Sequence, residues 1–363
     1  MPGRLTITDI ARLAGVSAST VSRVLNHKLD VDPRTRERIL ALIEEQGFRP
    51  NLAAAGLASG QNKLIGLLMP SLTWPLVTDL LRGVADAVET TQYELLLYAG
   101  KDEPARRDRS ELIDRLLATH LTAGILAVFP GPSESQRLAE LHRQGFPIVV
   151  IDDQQQQIPP WVRVDNITGA YLAVRHLVEL GHRRIAHIQG PLAELSARDR
   201  YQGYCQALLE AKITPDPTLL LEGDFMPQSG FACASRLFEL PLEQRPTAIF
   251  AATDQMAYGV ISAAEHYGIS IPRDIALVGF DDDSPSSYIR PALTTVRQPN
   301  FELGRQGILL LLSLLDSLAD SMQKDLSLVE RRAPVPSTRV ELPSTLVVRD
   351  SCGAQYSIPS SYS

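Results

Sequence analysis

The hydrophobic rhythm of the chain changes once, near residue 63. Before it, apolar residues recur every three or four positions in short blocks, which predicts helices. Thr6 precedes the first block with Asp9 three residues on, a capping-box spacing, and Ile10 and Leu13 give it an apolar face. Ala14-Gly15-Val16 reads as a tight turn with Gly15 in the left-handed conformation. Ser17 is placed to cap a second helix whose Val21, Val24 and Leu25 point inward. Asp32 and Pro33 open a third, Gly47 ends it, and Ile39, Leu40 and Ile43 form its buried stripe. Three short helices with a glycine turn between the first two make a helix-turn-helix unit.

From residue 64 the pattern is one of strands. LIGLLM (64–69), YELLLY (93–98), GILAVF (124–129) and PIVVID (147–152) are apolar runs separated by amphipathic segments. IAHI (185–188), TLLLEG (218–223), TAIFAA (247–252) and IALVGF (275–280) form a second set. Near-continuous apolar strands between helices predict parallel sheets covered on both faces. The expected fold is an N-terminal all-α helix-turn-helix domain followed by a two-lobed α/β domain with parallel sheets. The expected boundaries are 1–48 for the helical domain, 49–63 for a connecting hinge, 64–350 for the two-lobed body and 351–363 for a tail. Ligands of such sheets bind beyond the carboxyl ends of the strands, so the cleft between the lobes is the expected site. Polar or aromatic residues that follow strands are its candidates: Ser71 and Trp74 on the first lobe with Asp152, and Arg198, Phe225, Thr253, Asp254 and Asp281 on the second. Asp254 also has a local reading, as the cap of the next helix.

Charge sharpens the division. The chain of 363 residues has a net charge of −7, yet residues 1–63 hold nine Lys/Arg against six Asp/Glu. A positive head on an acidic body suits a nucleic-acid reader. The second helix supports this. Ala18, Ser19, Ser22 and Arg23 are read as its exposed positions, small enough to let a helix sit deep in a major groove, with Arg23 reaching a guanine edge. Thr6, Ser17, Thr20 and Asn26 suit phosphate contacts. The plain alternative is a three-helix cap without a ligand.

Three cysteines match no zinc or redox spacing and read as reduced thiols. The longest apolar run, ILLLLSLL at 308–315, is too short to span a bilayer, and no basic-then-apolar leader opens the chain; the expected location is the cytoplasm of a bacterium, at the nucleoid. Neither GxSxG, GxxxxGK[ST] nor GxGxxG appears, so no enzyme and no cofactor is expected. Asp281-Asp282-Asp283 suggests a metal only weakly, since alternate residues of a run share a face. His176, His182 and His187 read as structural, and QQQQ at 154–157 as a surface loop.

TITDIARLAGVSASTVSRVLN, GFRPNLAAAGLASG, VRVDNITGAYLAVRHLVELGHRRIAHIQGP, SARDRYQGY, TAIFAATDQMAYGVISAAEHYGISIPRDIALVGFDD and PALTTVRQP occur in this order. Together they closely resemble the lactose/galactose repressor family of bacterial transcription regulators over about residues 4–350. The resemblance implies a homodimer that joins through its body and reads a near-palindromic duplex operator. It implies that 49–63, alone readable as a flexible Ala/Gly linker, forms a short helix on DNA with Leu57 wedged into the minor groove. Gly56 departs from the bulkier residue often found there. It implies that Arg198, Thr253 and Asp281 hydrogen-bond a small-molecule effector while Phe225 stacks on it, and that the chain crosses between lobes near 163–167, 293–297 and 320–340. The expected function is a DNA-binding repressor released by a sugar. A purine-type corepressor and control by a carrier protein stay open as alternatives. Residues 316–344 are longer than the family pattern and read as an inserted surface loop, and the tail lacks a leucine heptad.

Overall fold

The structure, a computed structural model, describes residues 5–25, 30–48, 62–100, 110–118, 121–152, 160–324 and 338–354. It divides into two compact units at the Lys63–Leu64 bond. Asn26, Leu57, Gly56, residues 154–157 and the tail beyond 354 lie outside the described residues.

The first unit holds α1 (Ile7–Ala14), α2 (Ala18–Leu25) and α3 (Pro33–Glu45). Its helix ends are set by local chemistry. The Thr6 amide donates to Asp9 Oδ2 at 3.0 Å and the Asp9 amide to Thr6 Oγ1 at 3.3 Å, closing a capping box. Gly15 turns the chain with φ 63°. Ser17 Oγ accepts from the Thr20 amide at 3.1 Å and Asp32 Oδ1 from the Thr35 amide at 3.0 Å. Ile10, Ala11, Ala14, Val21, Val24, Ile39 and Phe48 form the core. Two expected core positions are exposed instead: Leu13 by 55% and Leu40 by 45%. The α1 stripe runs through Ile10, Ala11 and Ala14, and Leu13 falls beside it; on α3 the stripe is Ile39, Leu42 and Ile43, which turns Leu40 outward.

The second unit runs β1 (Leu64–Met69), α4 (Val77–Val88), β2 (Glu94–Ala99), α5 (Ser110–Ala118), β3 (Thr122–Val128), α6 (Pro132–Arg143), β4 (Ile148–Ile151), β5 (Trp161–Val164), α7 (Asn166–Glu179), β6 (Ile185–Gln189), α8 (Leu195–Glu210), β7 (Leu220–Glu222), α9 (Pro227–Phe238), β8 (Ala248–Ala251), α10 (Asp254–Tyr267), β9 (Ala276–Val278), β10 (Thr295–Arg297), α11 (Asn300–Lys324), β11 (Arg339–Leu342) and β12 (Thr345–Val347). The first lobe is a parallel sheet in the order β11-β5-β4-β3-β1-β2. The second is a parallel sheet β7-β6-β8-β9 extended by the antiparallel pair β10-β12.

Helices cover both faces of each sheet, which is why central strands such as β1, β3, β4, β6 and β8 read as apolar runs. In the first lobe, α4 and α11 cover one face through Leu80, Val84, Leu303 and Ile308, and α5 and α6 the other through Ile113, Leu116 and Leu138. In the second, α9 and α10 cover one face and α7 and α8 the other. A Cβ on Gly83 would stand 1.9 Å from the Phe301 carbonyl oxygen, and one on Gly304 2.1 Å from that of Leu80, so α4 and α11 meet backbone to backbone.

The chain passes between lobes three times: at Asp165 between β5 and α7, at Gln298–Pro299 between β10 and α11, and at Pro343–Ser344 between β11 and β12. The second and third passages lie a few residues beyond the stretches the resemblance implied. The segment read as an inserted loop is helix to Lys324 and strand at 339–342; residues 325–337 lie outside the described residues.

Candidate functional sites

On the first unit, α2 and its approach carry the candidate nucleic-acid surface. Ser17 Oγ lies 2.7 Å from Ser19 Oγ and 2.8 Å from Thr20 Oγ1, a hydroxyl cluster at the start of α2. Thr6, Ser17, Ser19 and Arg23 are exposed, while Thr20 and Ser22 are half-buried. Ala18 is turned toward the helical core and packs against it, so it is not the exposed position the helical reading assigned. Arg23 Nε stands 3.6 Å from Asp30 Oδ2 with both side chains more than half exposed, a pairing weak enough to exchange for a base edge.

In the second unit the carboxyl ends of the strands collect buried charge. Arg200 on α8 is 5% exposed. Its Nε donates to Asn166 Oδ1 at 2.9 Å, and its Nη1 donates to the Ala252 carbonyl and lies 3.6 Å from Asp281 Oδ1. The guanidinium sits 3.8 Å from the Phe280 ring centroid. Asp281 follows β9 and also accepts from Gln298 Nε2 at 2.5 Å. Asp152 follows β4 in the other lobe, buried, and Arg200 attracts its carboxylate. Burial pushes the Asp152 carboxyl up to about 6 against that pull, and raises Asp281 as well. Burial also lowers Arg200, while the carboxylates of Asp281, Asp152 and Asp254 hold it up.

Backbone strain marks the same place. Among the described residues, six other than glycine have positive φ; Phe129, Asp152, Phe225, Asp281 and Asp282 follow strands, and only Lys212 is a helix terminus. Such conformations cost of order 1–3 kcal/mol each and persist where the surroundings impose them. Phe225 (φ 70°) lies flat on the backbone of Gly190, where a Cβ would meet its Cε1 at 2.0 Å. Thr253 Oγ1 donates to the Phe225 carbonyl at 3.3 Å and accepts from the Met256 amide at 3.2 Å. Thr253, not Asp254, is therefore the cap of α10. Ser71 is buried in a turn after β1, its Oγ accepting from the Thr73 amide at 3.0 Å. Trp74 is half-buried against the first-lobe core, its ring 6.2 Å from that of Phe129.

Two expected effector contacts sit elsewhere. Arg198 is exposed and spends its Nη1 on the carbonyls of Leu192 and Ala193, both at 2.8 Å. Residues two apart on a helix point roughly 200° apart, so α8 sends Arg200 inward and Arg198 outward. Arg200 went unnoticed in the sequence, although the SARDR run offers both arginines. Asp254 is 0% exposed, and its carboxylate is filled by Ser286 Oγ at 2.6 Å, the Asp283 amide at 2.9 Å and Thr295 Oγ1. It organises the loop after β9 and offers no surface to a ligand. The three consecutive aspartates divide: Asp281 faces Arg200, Asp282 binds Arg297 and Arg349, and Asp283 accepts from Gln255. Two shallow hollows of about 490 and 320 Å³ flank α4, lined by Arg82, Asp86 and Glu89 and by Thr91, Tyr93 and Leu95. Neither gathers buried polar groups as the Arg200 cluster does.

A helix-turn-helix unit joined to a two-lobed α/β body with buried charge between the lobes defines a ligand-responsive DNA-binding regulator. The family model described as bacterial regulatory proteins, lacI family, matches residues 6–51, and that of a periplasmic binding protein-like domain matches 174–352. The HTH-type transcriptional repressor PurR of Haemophilus influenzae (strain PittEE) is 31% identical over 346 residues, 95% of this chain and 98% of that one. The lac repressor dimer bound to operator and the anti-inducer ONPF superposes with a TM-score of 0.82 at 29% identity, covering 96% of this chain and 99% of that one. The complex of the transcriptional regulator CelR with cellobiose gives a TM-score of 0.67 at 30% identity, covering 96% and 100%. The chain belongs to the LacI family and is a DNA-binding transcriptional repressor controlled by a small-molecule effector. Among the described residues no helix is long and apolar enough to cross a membrane.

Proposed function

We propose that the effector is a sugar, held between the lobes by Asp152, Arg200 and Asp281 with Phe225 against its apolar face, and that its binding releases a homodimer from a near-palindromic operator. The observation that carries this reading is the buried Asp152–Arg200–Asp281 cluster. Among the described residues no donor reaches the Asp152 carboxylate and no acceptor reaches Arg200 Nη2. Two carboxylates and a guanidinium suit the paired hydroxyls of a sugar, and an aromatic face suits its C–H patch. The similar CelR was solved with cellobiose, which supports the same class. Arg23, Thr6, Ser17, Ser19, Thr20 and Ser22 would then face DNA, Arg23 reading a base and the hydroxyls taking phosphates. Residues 49–63 would serve as the hinge.

A thermal-shift screen with ribose, glucose, cellobiose, adenine and hypoxanthine tests the effector class. At least one sugar should stabilise the wild type while leaving Asp281→Asn and Arg200→Lys unmoved. Stabilisation by the nucleobases alone replaces the sugar with a purine, and equal stabilisation of all three proteins removes the cluster from the site.

A further inference from the structure

We propose that Asp282 is a positioning residue that couples the effector cleft to the passages between the lobes; this rests on the reading that Asp281 binds the effector. Asp281 and Asp282 are consecutive and both strained, with φ 124° and 58°. Asp281 is stitched to the second passage: its amide donates to the Val296 carbonyl at 2.8 Å, and its carboxylate accepts from Gln298, the residue at which the chain leaves β10. Asp282 points the other way. Its carboxylate is 8% exposed and accepts from two arginines at once, Arg297 Nε on Oδ2 and Arg349 Nη2 on Oδ1, each at 2.6 Å.

These arginines belong to different passages. Arg297 ends β10, directly before Gln298. Arg349 follows β12, the strand that returns from the third passage, and its Nη1 also donates to the Leu293 carbonyl at 2.7 Å. One buried carboxylate therefore fastens the segment that leaves the second lobe to the segment that returns to it, and it is joined by a single peptide bond to the acid that faces Arg200. A ligand that draws on Asp281 cannot turn that peptide without disturbing the clamp. Two-arginine recognition by one carboxylate is strong and directional, so the disturbance is passed on as movement of β10 and β12. Asp283, next in sequence, lacks this link: its carboxylate accepts from Gln255, within the second lobe. The run of three acids thus contains its own control.

The test uses the full chain, a duplex that the wild-type chain selects from a random pool, and ribose, glucose and cellobiose as probes. The measured quantity is the ratio of DNA Kd with and without sugar, for which couplings of about 5–150-fold are typical. In Asp282→Asn this ratio should fall below about twofold. Its sugar-free DNA Kd and its sugar Kd should each stay within about threefold of wild type, which a merely structural loss would not permit. Arg297→Gln, at an exposed position, should lower the ratio in the same direction, and Asp283→Asn should keep it. A wild-type ratio in Asp282→Asn and Arg297→Gln overturns the proposal, as does an equal loss in Asp283→Asn. Loss of sugar binding itself in Asp282→Asn also overturns it, since the residue would then hold the sugar site instead of transmitting from it. A wild-type chain that binds the duplex but responds to none of the sugars removes the underlying effector reading, a different result from either.

Discussion

Arg200 and Asp281 meet at 3.6 Å with side chains only 6% and 9% exposed. A charge pair this deep is costly to form and more costly to break, because removing one member strands the other away from water. Such a pair is weak as a stabilising device and strong as a site, since hydroxyl groups can complete the valences that the protein leaves open. Arg200→Ala should therefore lower stability by about 3–5 kcal/mol and abolish sugar binding. Arg200→Lys keeps the charge but loses the fork, and should lose the ligand with a smaller drop in stability. Chemical denaturation and calorimetric titration of both variants check this; retention of sugar binding by Arg200→Ala would contradict it.

Asp152 gives the cleft a pH signature. Its folded value of about 6 lies above the unfolded value of about 3.9, so the native state holds the extra proton. The stability this contributes is complete below about pH 4 and is lost as pH rises through 6, up to roughly 3 kcal/mol from this residue. Asp152→Asn has no proton to lose. Without effector, its melting temperature should gain on that of wild type as pH climbs from 4 to 7. A difference that stays constant over that range would contradict the burial argument.

For the DNA-facing helix the prediction concerns discrimination. Arg23→Ala should lose about 1–3 kcal/mol of preference at one base pair. Salt-sensitive binding to any duplex should remain, because phosphate contacts carry it. Selection from a random pool by the variant checks this; an unchanged consensus would move base reading to another residue.

At the entrance to α1, Thr6 and Asp9 satisfy each other's backbone amides. Thr6→Ala should cost about 1 kcal/mol, felt in the first unit. Hydrogen exchange should show α1 opening faster while the strands of the second unit are unaffected. Equal protection in both would mean that the cap contributes nothing.

Where one rule dominates, the sequence is legible. The caps at Thr6, Ser17 and Asp32 are local and appear as expected. Six of the eight apolar runs overlap their strands closely, because largely buried strands need little else; IALVGF forms a strand only at Ala276–Val278. TLLLEG begins as a short 3₁₀ turn and pairs only at Leu220–Glu222. The strands β5, β10, β11 and β12 do not stand out because they are only three or four residues long. WVRV, TVR and RVEL also carry charges, and they are strands because partners far along the chain pair with them. Ser71, Trp74, Asp152, Phe225 and Asp281 could be located at strand ends from the sequence because the strands before them are recognisable apolar runs. Arg200 was missed and Asp254 over-read because their roles depend on helix phase and on partners far along the chain, Asp281 for one and Thr295 for the other.

The central claim is that a molecule in the cleft changes the grip on DNA. Fluorescence anisotropy of a labelled duplex, selected by the full chain from a random pool and titrated with and without the stabilising sugar, measures this directly. The sugar should weaken binding by about 5–150-fold in the wild type and leave Arg200→Lys unchanged. Identical isotherms with and without the sugar, in a protein that holds both the sugar and the duplex, would contradict the account.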